Sequence, residues 1–170
     1  MDRARGPVGG SGSVAVRLRA TAPGELEAIS GLIHDAHFDY DEVAFDEGQR
    51  TLTIPFHQEV QSWSRGRGEP PWESVRSTRW YQEYRVPFYR GRLTVHHVTA
   101  FEGVADSGAP PELVGIRYDG ARGRVTIDDW GEIHVGVERL EVTAELTDEA
   151  TLTMRRRWYP LLNLERDVPW

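Results

Sequence analysis

Between Glu25 and Phe56 the apolar residues change their period, and this change limits the possible folds more than any other feature of the chain. Leu26, Ile29, Ile33 and Ala36 recur at helical spacing, with Leu32 beside them, and at about 100° per residue they share one face. After Phe38 the pattern alternates. Val43 and Phe45 pair with Leu52, Ile54 and Phe56 across Asp46-Glu47-Gly48-Gln49, a turn whose glycine accepts a positive φ. A helix opened by Thr21 or by Pro23-Gly24 thus leads through an acidic turn into a β-hairpin. If that helix holds to residue 37, His37 projects near Leu26 while Asp35 points almost opposite, so His34 and Asp35 cannot both share a site with His37. Gly31 inside the helix costs about 1 kcal/mol against Ala and suggests close packing on a sheet.

The rest of the chain reads as strands and turns. Val14, Val16 and Leu18 alternate with Ala15, Arg17 and Arg19 as a half-buried strand. Pro55 places the second hairpin strand at an edge, or ends it. Residues 57–79 hold Arg-Gly-Arg-Gly and Pro70-Pro71 without a period, which predicts a long loop partly folded back through Trp63 and Trp72. Trp80 to Arg90 is aromatic-rich and broken by Pro87, and Leu93, Val95, His97, Thr99 and Phe101 then alternate. After a loop at 103–111, Val114, Ile116 and Tyr118 lead through Asp119-Gly120-Ala121-Arg122-Gly123 to Val125 and Ile127, with a further turn at 129–131. Ile133, Val135 and Val137 have odd parity, whereas Leu140, Val142, Ala144 and Leu146 have even parity. A bulge or bend near Glu138-Arg139 is required if both face one core. Leu152 and Met154 give a last short strand.

The expected fold is α+β and mainly antiparallel β, a curled meander of about seven to nine strands with one helix in the N-terminal half. Residues 14–160 form one globular domain, flanked by a flexible Gly/Ser-rich tail at 1–13 and a docked or frayed C-terminal tail at 161–170.

Composition removes several function classes. Cysteine is absent, which excludes disulfides, thiolate nucleophiles, iron–sulfur clusters and Cys-type zinc sites. All 20 basic residues are arginine, so lysine chemistry and a Walker-type phosphate loop are excluded too. A net charge of -7 disfavours nucleic acid. No apolar run approaches the ~18 residues of a membrane span, and Arg3 and Arg5 are not followed by the ~7–15 apolar residues of a signal peptide. The expectation is a cytoplasmic protein that meets neither nucleic acid nor membrane. Neither Gly-x-Ser-x-Gly nor Gly-x-Gly-x-x-Gly occurs in a suitable context.

Candidate chemistry gathers at His34, His37, His96, His97 and His134, which could offer imidazoles to a metal with Asp39 or Asp41 as carboxylate partners. Solvated or hydrogen-bonded histidines are the plainer reading, and His96 and His97 on one strand would point to opposite faces. The acidic run Asp39, Asp41, Glu42, Asp46, Glu47 departs from an EF-hand loop, because Val43 stands where an oxygen ligand belongs. Asp128-Asp129 reads as a solvated turn. Arg155-Arg156-Arg157 before Trp158-Tyr159 can grip phosphates or stack bases, but in an acidic chain ion pairing with the acidic turns is preferred. A curled sheet could also line a ligand pocket with Trp80, Tyr84 and Tyr118.

The step His34-Asp35-Ala36 at a helix end, followed by an acidic β-hairpin, resembles a loose group of small uncharacterised bacterial β-rich proteins, some of them immunity proteins that bind a toxin. The resemblance covers Leu32 to Phe56. It implies a non-catalytic binding protein whose acidic surface meets a basic partner, which suits steering by a charge of -7. The leading expectation is therefore a non-enzymatic bacterial domain without cofactor that binds a protein, a small ligand or itself as a homodimer through an edge strand. The alternatives are a metal-assisted enzyme using His37 with His97 or His134, and an acidic immunity-type inhibitor.

Overall fold

The computed structural model describes residues 14–60, 70–101, 112–128 and 132–168. In chain order these form β1 (Val14–Ala20), α1 (Leu26–Ile33), β2 (Ala36–Phe38), β3 (Ala44–Asp46), β4 (Thr51–Glu59), β5 (Glu73–Ser77), β6 (Gln82–Val95), β7 (Val98–Phe101), β8 (Glu112–Leu113), β9 (Gly115–Asp119), β10 (Arg124–Asp128), β11 (Glu132–Val137), β12 (Val142–Tyr159) and β13 (Leu164–Val168). The class is the expected one, mostly antiparallel β with a single helix in the N-terminal half. The strands outnumber the seven to nine expected because several, such as β2, β3 and β8, are too short for an alternation to show.

Two long strands are the spine. β6 and β12 pair antiparallel from Val142 opposite Val95 to Trp158 opposite Gln82, with register shifts between Leu146 and Leu152. Each is flanked end to end by two shorter strands. β4 lies along β6 from Leu52 opposite Val95 to Glu59 opposite Phe88, and β5 takes over from Glu73 opposite Arg85. On the other side β1 covers Val142 to Thr147 of β12, and β13 covers Arg155 to Tyr159. The near half of the spine belongs to the body of the sheet, which continues through β2 and β8. The far half is a four-stranded arm, β5-β6-β12-β13. A second sheet, β7-β11-β10-β9, packs with α1 and the body.

The prolines lie at the seams of this arrangement. Pro55 is not at a sheet edge: β4 is interior, but β3 leaves off at Thr53 and β2 begins at Phe56, so β4 has one neighbour at that point. Pro87 does not break its strand either, because it falls between the end of β5 pairing at Arg85 and the start of β4 pairing at Phe88. A missing N–H does no harm where no acceptor stands opposite.

The main core joins α1 to both sheets through Ile29, Ile33, Leu52, Ile54, Leu93, Ile127, Ile133 and Val142, each about fully buried. Burial of such side chains contributes roughly 1.5–3 kcal/mol apiece. The Ser30 hydroxyl fastens the helix to β9, donating to Ile116 O at 3.2 Å and accepting from Ile116 N at 3.0 Å. A smaller core on the arm groups Trp72, Tyr84, Val86 and Phe88 with Met154 and Trp158.

Other expectations are corrected. The helix stops at Ile33. Asp35 turns the chain at φ 60, its N–H donating to Leu113 O at 2.9 Å, and His37 stands on a strand. A Cβ on Gly31 would meet nothing within 4 Å, so no close packing calls for that glycine. Residues 57–79 are not one loop, since β4 runs to Glu59 and Glu73–Ser77 is a strand; Trp63 lies outside the described residues, as do the tail at 1–13 and the turns expected at 103–111 and 129–131. Trp72 does fold back, into the arm's core. The run through His97 is two strands in different sheets, because His97 at φ 56 bends the chain after Val95. The bend required near Glu138-Arg139 is present, and both parity sets reach the main core. The strand through Leu152 and Met154 is long and not the last, and of the two expectations for the C-terminal segment docking is the one met, residues 164–168 pairing with it as β13.

Candidate functional site

Strand alternation sorts the arm into two faces. Tyr84, Val86, Met154 and Trp158 build the arm's core on one. Glu83, Arg85, Thr153, Arg155 and Arg157 share the other. Glu83 is only 2% exposed, and a lone carboxylate at such a place would be costly. It is held by two arginines of β12: Arg155 Nε donates to Oε1 at 2.7 Å and Arg157 Nε to Oε2 at 2.8 Å. The bond from Arg157, with that from Arg155, keeps the Glu83 carboxyl below the usual carboxylate range against the opposing effect of burial. The same bond raises Arg157, whose guanidinium lies 4.7 Å over the Tyr81 ring.

Above this pair opens a cleft of about 600 Å³ lined by Val75, Arg76, Glu83, Arg85, Thr153 and Arg155. A neighbouring hollow of about 280 Å³, walled by Trp72 and Pro87, shares Arg85 and Thr153 with it, so the two adjoin and are together termed the trough. Arg76 is exposed, and Arg85 has a solvent-exposed partner in Glu73 at 3.3 Å, a contact of the kind that exchanges readily with other anions. The trough thus has an apolar wall, one guanidinium held by a buried carboxylate, Arg155, and two more exposed ones, Arg76 and Arg85. Guanidinium groups in such a setting can receive carboxylate or phosphate groups.

Arg156, between these two arginines in sequence, faces the other way. It meets Asp167 at 2.8 Å and Glu59 at 3.1 Å, and stacks 5.1 Å over Trp72. Burial raises the Glu59 carboxyl despite Arg156. The ion pairing expected for residues 155–157 is present, but with carboxylates of β4, β6 and β13 and not with the acidic turns.

The histidines are distributed over the molecule. His34 caps the end of α1, Nδ1 donating to Val114 O at 3.1 Å, and lies 3.8 Å from Asp35. His37 on β2 faces His57 on β4, has Glu112 at 3.5 Å and touches the Phe88 ring at 5.7 Å. His57, whose buried Nδ1 has no partner, is lowered chiefly by burial. His97 donates to Glu141 at 2.8 Å, and His96, lowered by burial, lies 3.1 Å from the Thr143 hydroxyl. His134 has Glu132 at 3.2 Å and Thr126 at 3.3 Å, and rims a pit of about 230 Å³ with Arg122 and Arg124 over Gly136. His37, His97 and His134 therefore pair with three different glutamates. Among the described residues no group of three or more His, Asp or Glu could hold a metal ion.

Asp39 caps the short turn Tyr40–Glu42, accepting from Asp41 N at 2.9 Å, while Asp41 itself is exposed. Trp80, Tyr84 and Tyr118 lie apart: Trp80 is 62% exposed, Tyr84 is in the arm's core, and Tyr118 packs at the margin of the main core. Of the residues that line the larger cleft, sequence reasoning singled out Arg155 alone. The available signal was the spacing of Arg155 and Arg157, two apart on a strand and so on one face. His57 was missed as well, because it falls on the parity opposite Ile54 and Phe56, where a histidine reads as an ordinary outward residue.

Compared with protein-family models, curated proteins and solved structures, the chain matches none. Among the described residues no helix is long and apolar enough to cross a membrane.

Proposed function

We propose that this chain is a non-enzymatic binding domain that takes an anionic group, carboxylate or phosphate, in the arginine-lined trough of its arm. The observation that supports this is the cleft of about 600 Å³ in which Arg76, Arg85 and Arg155 surround one buried carboxylate that two arginines already neutralise. Positive charge remains over after that neutralisation, on Arg76 and Arg85 of the two neighbouring strands β5 and β6. Isothermal titration calorimetry with hexaglutamate and with pyrophosphate tests the proposal. Binding of at least one, weakened about tenfold by Arg76→Ala with Arg85→Ala, is expected. Absence of heat from both probes at millimolar concentration contradicts it.

A second reading, the acidic immunity-type inhibitor, draws on Asp41, Glu42, Asp46 and Glu47, which all stay exposed on the body. Binding of a hexa-arginine peptide that disappears with Asp41→Asn, Glu42→Gln and Glu47→Gln together supports it; unchanged binding by that variant removes it.

A further inference from the structure

The far end of the arm carries the most exposed large apolar side chains of the described residues: Leu161 is 80% exposed, Leu162 71% and Trp80 62%. They come from two different hairpin turns. Ser77 pairs with Gln82 and Tyr159 with Leu164, and Gln82 stands opposite Trp158 on the neighbouring strand. The β5–β6 and β12–β13 turns therefore project side by side from the same end of the sheet, with the Tyr81 and Tyr159 rings 5.7 Å apart between them.

Both turns are fixed by hydrogen bonds. The Thr78 hydroxyl accepts from Trp80 N at 3.2 Å and Tyr81 N at 3.1 Å, and Thr78 N donates to Tyr81 O at 2.9 Å. In the other, Leu162 N donates to Tyr159 O at 3.1 Å, and Asn163 at φ 46 closes the turn. The tip is thus a built display, and soluble surfaces seldom group large apolar side chains without a partner. Two arginines flank it: Arg79 lies 5.2 Å over the Trp80 ring, and Arg166 is exposed on β13. Across residues 70–88 and 153–168 arginines outnumber carboxylates seven to four, in a chain whose net charge is -7.

We propose that this tip docks on an anionic lipid surface, with Trp80, Leu161 and Leu162 entering the headgroup region and Arg79 and Arg166 meeting the lipid charge. The side chains stand at an apex instead of spreading over a face, which suits insertion. Aromatic and arginine side chains together suit the interface, and the acidic body is held away from a surface of its own sign. A second copy fits less well. Three such side chains offer on the order of 500 Å², short of the ~800 Å² per partner of a stable interface. The expectation that no membrane is met rested on the lack of a long apolar run, which concerns spanning only.

Co-sedimentation of the full chain with vesicles of phosphatidylcholine alone, or mixed with phosphatidylglycerol, tests the proposal. Wild type is expected to pellet with the mixed vesicles, less so in high salt. Leu161→Ser with Leu162→Ser should reduce partitioning about tenfold or more, and the accompanying blue shift in tryptophan emission should vanish in Trp80→Ser. Arg76→Ala with Arg85→Ala, which disables the trough, should still pellet; its loss alone, with the leucine variant unaffected, overturns the tip in favour of the trough. Wild type remaining in the supernatant with both vesicles overturns the proposal. So does a dimer in sedimentation velocity that the leucine variant dissolves while vesicle binding is absent.

Discussion

Gly91 is opposite Phe56 across β4 and β6, and a Cβ there would stand 2.2 Å from Phe56 Cε2 and 2.9 Å from the Glu145 carbonyl oxygen. The ring occupies the space a side chain would need. Gly91→Ala is expected to destabilise the fold by roughly 1–3 kcal/mol, read from the urea midpoint. Glu83→Ala leaves two partly exposed arginines side by side without their shared carboxylate and is expected to cost about 1–3 kcal/mol in the same measurement. Acid should act in the same direction. Glu83 is lowered by its bond from Arg157, Glu141 by that from His97 and Glu145 by that from Arg92. Each binds fewer protons when folded, so its contribution is complete above the ordinary carboxylate value of ~4.3 and is lost as pH falls through the lowered folded value. His57 and His96, lowered by burial, begin a smaller loss as pH drops below ~6.5, whereas Glu59, raised by burial, opposes it slightly. Denaturant midpoints that rise steadily from acid to neutral pH are the expected outcome; a flat profile contradicts the assigned pairs. Of these residues only His96 stands out in the sequence. A buried glutamate reads as a surface one until its cross-strand partners are known.

At the scale of elements, alternation located most strands, and the Asp119–Gly123 turn and the 43–56 hairpin were legible because their turns and apolar positions are local. Failures had a common cause. Pro55 and Pro87 signal breaks only if a strand has neighbours on both sides throughout, and here short strands meet end to end beside them. The helix boundary was missed because Ala36 continues the apolar spacing of α1 while Asp35 changes the backbone direction. The division of the spine also makes a prediction. The arm's core is a handful of residues around Trp72 and Phe88, so its opening should cost less than opening the body. Hydrogen exchange should be faster at Val86 and Arg155 than at Leu93 and Ala144, and Trp72→Ala should speed the first pair while leaving the second unchanged. Equal rates in both pairs would mean that spine and arm open together.

For the whole molecule, the charge of -7 conceals a division. The arm is rich in arginine, and the acidic run Asp39 to Glu47 lies on the body around β3. Net charge alone pointed toward a basic partner, since a sum over the chain carries no information on where charges gather in three dimensions. On the proposed function an anionic ligand is drawn to the arm and turned away by the body, and screening should weaken its binding as salt rises. The most direct test of the trough is backbone-amide NMR of the full chain titrated with hexaglutamate or pyrophosphate. Shifts are expected to gather at Arg76, Glu83, Arg85, Thr153 and Arg155, with Glu42, Glu47 and His134 unmoved. Shifts confined to the body, or none from either probe, would contradict the assignment of the arm as the binding element.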